Sequence, residues 1–160
     1  MKEKLQEFAL IAEIISAAAV VVSLLYVGYQ IQESTEQARL DSIRTMDQGY
    51  QQQAMNYVHN ESLGIAWHKV LDGEKLTDRE VDMFGDNLYA NLMLLEETWN
   101  GVKGGYLGDE FLGPKIALIQ TKILSSPQVR ERHQRMVEAG IYTPEFVTWL
   151  DTQLKKSPLY

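Results

Sequence analysis

The side chains able to do chemistry are few and scattered. Three histidines stand at His59, His68 and His133, and two adjacent carboxylates at Glu96 and Glu97. None of them forms the H-E-x-x-H spacing of a helical zinc site or the Glu-x-x-His pairs of di-iron bundles. If Glu96 turns inward toward His68 or His133, the result is a mixed carboxylate–imidazole site suited to zinc or iron. A buried Glu paired with an Arg is the competing arrangement. Glu96 and Glu97 are also the candidate general acid and base. Neighbouring helix residues project about 100° apart, however, and so seldom face one substrate.

The chain has 0 Cys, which excludes thiol nucleophiles, Cys-ligated metals and disulfides. It contains no nucleophile elbow, no phosphate-cradling glycine loop and no dinucleotide fingerprint. Gly101, Gly104, Gly105 and Gly108 read instead as a turn between helices. No cofactor and no metal is expected, with His68, Glu96 and His133 as weak metal candidates. Arg130, Arg132, His133 and Arg135 form the one basic cluster. It could hold an anion or a lipid headgroup. The alternation of Arg130 with Glu131 favours a salt-bridged, solvated face.

Some part of the chain must position these groups, and its elements are legible. The 160 residues suit one folded domain, and 45% hydrophobic with 23% charged residues is an ordinary globular balance. A net charge of −7 argues against a nucleic-acid partner. The apolar residues crowd one end. Phe8–Ile31 carries a single charge, Glu13, and as a helix spans roughly 36 Å, enough for a hydrocarbon core of about 30 Å. Tyr26 and Tyr29 suit an interface. A signal peptide would have a shorter apolar run followed by small residues, whereas Ala17, Ala18 and Ala19 lie mid-segment. A buried core helix is the other alternative. The expectation is an uncleaved single-pass anchor over residues 1–31 and a soluble domain over 32–160.

Within the anchor, Ala12, Ser16, Ala19, Ser23, Tyr26 and Gln30 follow steps of 4, 3, 4, 3 and 4. That seam of mostly small residues suits close association with another membrane helix. Glu13 lies within a turn or two of the expected membrane surface, where it reaches headgroups. The sharper reading makes it a ring at a pore mouth, or an intramembrane partner for a basic residue. Lys2 and Lys4 on one side balance Arg39 and Arg44 on the other, so the count of positive residues leaves the orientation undecided.

Beyond Ile31 every segment reads as helix. Ile43, Met46, Tyr50, Ala54 and Tyr57 form a stripe that extends the first helix as a rod, packing on the bundle or on another subunit. Gly49 weakens that rod by about 1 kcal/mol relative to Ala. A short helix covers 62–71, stopped at Asp72-Gly73. Thr77-x-x-Glu80 is a capping box. It opens a helix striped by Val81, Phe84, Leu88, Leu92, Leu95 and Trp99, which Gly101, Gly104 and Gly105 end. Another follows Asp109 with Leu112, Ile116, Ile119 and Ile123. Ser126-Pro127 and Thr143-Pro144 open two more. The fold class is all-α: one apolar N-terminal helix continuous with a long helix, then a small helical bundle.

The order of parts resembles a group of uncharacterised bacterial proteins. The resemblance lies in IAEIISAAAVVVSLLYVGYQI, then LLEETWNGVKGGYL, SSPQVRERHQRM and YTPEFVTWLD. These proteins have one N-terminal membrane helix and a helical domain of unknown function. The resemblance implies the bacterial inner membrane with the domain on the cytoplasmic side, and it points to no particular activity. Such proteins carry Arg directly after the membrane helix. Here Gln32, Glu33 and Ser34 stand there and the first Arg is Arg39.

The functional expectation is a non-enzymatic, membrane-anchored assembly or accessory protein, with enzyme activity left open. Its partners would be membrane lipid and either copies of itself or a larger membrane complex, met through the small-residue seam and the Tyr50/Tyr57 stripe. The alternatives are a homo-oligomeric pore lined by Glu13, Ser16 or Ser23, and a membrane-tethered metal enzyme or ligand sensor built on His68, Glu96 or His133.

Overall fold

The first helix, α1, runs unbroken over Lys2–His59. A computed structural model of the chain describes residues 2–157. After α1 come α2 (Glu61–Leu71), α3 (Asp78–Lys103), a single 3-10 turn (Asp109–Phe111), α4 (Gly113–Leu124), α5 (Pro127–Glu138) and α6 (Pro144–Lys155). No strand occurs among the described residues. The chain divides into two units between Ser42 and Ile43.

The first unit is the apolar part of α1. Its large side chains, from Phe8 through Ile31, are all half or more exposed apart from Val27 at 48%. The second unit, from Ile43 onward, is the bundle, and α3 is its centre. Phe84, Leu88, Leu92 and Leu95 are fully buried along one face of α3. They meet Leu63, Ala66 and Val70 of α2, Ile119 and Ile123 of α4, Val129 of α5, and Phe146 and Leu150 of α6. Trp67 stacks on Phe84 at 5.8 Å, and Trp99, Phe146 and Trp149 form a second aromatic cluster at 5.6–5.8 Å. All three tryptophans therefore serve the core.

Helix boundaries follow local chemistry. Asn60 caps α2, its side chain accepting from the Leu63 amide. Thr77 and Glu80 close the reciprocal capping box at α3, and Ser126 caps α5 ahead of Pro127. Gly104 and Gly105 end α3, with Gly105 at φ +77°, a conformation that a residue with a Cβ adopts only under strain. Gly101 departs from expectation and stays inside α3. The loop folds back over it, and the Tyr106 and Leu107 amides both donate to its carbonyl. Gly49 also has a use beyond a weakened helix. A Cβ there would lie 2.8 Å from Leu94 Cδ2, so the missing side chain lets α3 close on α1.

Candidate functional site

Met46, Tyr50 and Tyr57 on α1 turn toward the bundle of their own chain. Met46 is buried and the two tyrosines are half-buried. The Tyr50 hydroxyl lies 3.3 Å from Thr98 Oγ1, and Lys115 Nζ sits 4.4 Å over its ring. Burial pushes the Tyr50 hydroxyl up to about 12. This side of α1 therefore packs on the chain's own bundle, while Ala54 of the same stripe stays exposed. What α1 leaves uncovered is its apolar length, where Ala12, Glu13, Ser16, Ala19, Ser23, Tyr26 and Gln30 are all exposed. Their spacing keeps the six seam residues on one side of a continuous helix.

The expected metal candidates are not brought together. Among the described residues no group of three or more His, Asp or Glu is arranged to hold a metal ion. His68 is exposed on α2. Glu96 is buried, but its carboxylate works as a cap. Oε1 accepts from the Thr143 amide at 3.0 Å and from the Thr143 hydroxyl at 2.6 Å. Thr143 consequently does not cap α6 with its own side chain, as the Thr-Pro motif suggested. A carboxylate 47 positions away in the sequence holds that corner. His133 is buried in α5, its ring 6.2 Å from Tyr142, and burial lowers its pKa against the pull of Asp151. Its Nδ1 has no hydrogen-bond partner among the described residues.

Two arginines of the basic cluster pair with carboxylates of the chain and the third bonds a backbone carbonyl. Arg130 donates to the Leu124 carbonyl at 3.0 Å. Arg132 lies along Gly85 of α3, its guanidinium 3.6 Å from Asp82 and 3.5 Å from Asp86. Arg135 pairs with Glu131 one turn away at 3.3 Å. A shallow cleft of about 310 Å³ runs between Arg132, Arg135, Tyr89 and Ile141. Any anion there competes with carboxylates already in place.

The most unusual polar site escaped the sequence reading. Lys122, on α4, is 1% exposed. Its ammonium donates to Asn87 Oδ1 at 3.2 Å and lies 5.0 Å over the Tyr57 ring and 6.0 Å from that of Trp67. The same Asn87 oxygen accepts from the Tyr57 hydroxyl and from Asn91 Nδ2 at 3.1 Å. Asn87 Nδ2 in turn donates to Gln53 Oε1 at 3.1 Å. Four helices thus meet at one carboxamide and one amine. Desolvation pulls the Lys122 amine down to about 8. A lysine in the last turn of a helix ordinarily reads as solvated and paired with the helix dipole. Only the two asparagines one turn apart on the buried face of α3 hinted at a polar centre.

No protein-family model matches the chain, and neither a curated protein nor a solved structure does.

Proposed function

We propose that the chain is a membrane-anchored helical assembly or accessory protein. In this reading Phe8–Ile31 crosses the bilayer once. The Ala12, Ser16, Ala19, Ser23, Tyr26 and Gln30 seam meets another membrane helix, from a second copy or from a larger complex. One observation carries the reading: none of the apolar window of α1 is buried in the chain's own fold, although its mean hydropathy is 2.4. Covering a large apolar side chain is worth about 1.5–3 kcal/mol, and more than a dozen of them stand open here. A bilayer covers such a helix while its backbone bonds stay satisfied internally. Small and hydroxylated residues on one side then allow close helix contact. Tethering raises the concentration of the bundle at the membrane surface, where weak contacts suffice for assembly.

Native mass spectrometry of the full chain, released gently from the membranes of cells that express it, tests this reading. A discrete homo-oligomer or a stoichiometric complex with another membrane protein is expected. A monomer under the mildest release contradicts the assembly role.

A further inference from the structure

Asn87 Oδ1 is over-subscribed. A carbonyl oxygen offers two lone pairs, both taken by the Tyr57 hydroxyl and the Lys122 ammonium, and the Asn91 amide, bonded at 2.7 Å to the Asn87 backbone carbonyl, crowds the same oxygen at 3.1 Å. An ammonium has three donors and cannot accept, so it gives Tyr57 no alternative. Among the described residues no carboxylate pairs with it. On α1, the titratable side chain facing it is Tyr57. From α2 it meets the Trp67 ring, while Lys69 is paired with Glu80 and His68 is exposed. From α3 it meets Asn87, while the exposed Asp86 pairs with Arg132. Elsewhere on α4, Lys115 sits over Tyr50 and Phe111. On α5, the charge acting on His133 is Asp151. The ring faces of Tyr57 and Trp67 compensate part of the charge, but a buried unpaired cation still favours water.

The helices around the amine are not equally tied down. Trp67 of α2 is stacked into the core on Phe84. The last turns of α1 are held beside it through the half-buried Tyr57 ring, 5.9 Å from that of Trp67, and through polar contacts of Gln53 and Tyr57 with Asn87. A cleft of about 330 Å³ lined by Gln53, Asn56, Asn60 and Asn87 opens at that junction. That cleft lies beside the bonds that hold α1 to α3.

We propose that Lys122 is a proton-operated latch for the last turns of α1, seated on α3 when the amine is neutral and parted from it when the amine is charged. A neutral amine carries a lone pair. It can accept from the Tyr57 hydroxyl while still donating to Asn87, which relieves the crowded oxygen. A charged amine is best relieved by water, and parting α1 from α3 admits it. Burial draws the amine's titration in the seated state down to about 8, against 10.5 in water, so the latch tightens as the pH rises between those two values. The inference concerns the bundle alone and does not depend on the membrane reading.

Hydrogen exchange by mass spectrometry tests it, on the full chain in detergent micelles at pH 7.0 and 9.5, with rates corrected for intrinsic exchange. At pH 7.0 the amides of residues 50–59 should exchange at least about tenfold faster than those of 84–95, through their own opening. Their protection should rise at least about tenfold at pH 9.5. Lys122→Gln, which keeps a donor to Asn87 without the charge, should show the high protection at both pH values. Equal protection of the two segments at pH 7.0 overturns the latch. So does protection of 50–59 that is flat with pH, or a Lys122→Gln protein that keeps the wild-type dependence. Lys122→Met replaces that variant if it does not fold, and the comparison of segments in the unaltered protein decides if neither does.

Discussion

The apolar half of α1 and the central helix α3 carry comparable apolar residues, and the chain treats them in opposite ways. On α3 the stripe from Phe84 to Leu95 is fully buried, because α2, α4, α5 and α6 each bring a complementary face. On α1 no part of the apolar window is buried. The polar groups show the same contrast. Seam residues Ser16, Ser23 and Gln30 stand open on α1, whereas Asn87, Asn91, Thr98 and Lys122 in the bundle are buried and hydrogen-bonded. Amphipathic helices fold onto one another. The apolar half of α1 is long and apolar enough to cross a membrane, which is how we propose it is covered.

Charging the apolar helix should give the largest effect. Val21→Arg combined with Leu24→Arg costs about 5–7 kcal/mol of membrane insertion, at roughly 2.5–3.5 for each central charge. The protein should leave the membrane fraction while the near-ultraviolet spectrum of its bundle stays unchanged. If the bundle signal were lost as well, the two regions would not be independent.

Phe84→Ala is the converse. It removes a fully buried ring stacked on Trp67 and should destabilise the bundle by about 3–5 kcal/mol in urea titration, without changing membrane fractionation.

The pH dependence of stability sharpens the polar side of the comparison. Between about 8 and 10.5 the unfolded chain binds the Lys122 proton and the folded chain does not, so stability rises with pH. The whole rise is worth about 3 kcal/mol. Above about 10 the sign reverses. Burial holds the Tyr57 and Tyr142 hydroxyls protonated in the fold while unfolded tyrosines ionise. Urea titrations from pH 7 to 11 should therefore peak near pH 10. Lys122→Met should abolish the rise and be more stable than the unaltered protein at pH 7.

The smallest effect belongs to the α3 cap. Thr77→Ala opens the capping box with Glu80 and should cost about 1 kcal/mol in the same titration.

What was legible in the sequence was local. The capping box at Thr77, the Ser126-Pro127 start and the stripe of α3 each lie within a turn or two of chain, where spacing alone dictates geometry. The polar contacts that matter were not legible, because they join distant positions. Glu96 caps α6 from 47 residues away, and Lys122 reaches Asn87 across 35. Nothing in the run TKIL separates a buried lysine from a solvated one. Tyr50 and Tyr57 show the same limit from the other side. Their spacing identified a packing stripe, but whether the chain itself or a partner covers it depends on where α3 and α4 lie.

The central claim is that lipid covers the apolar half of α1. Washing membranes from cells expressing the full chain with alkaline carbonate, then sedimenting them, tests it most directly. A spanning helix should keep the protein in the pellet, released only by detergent. Release of the protein into the carbonate supernatant would contradict the account.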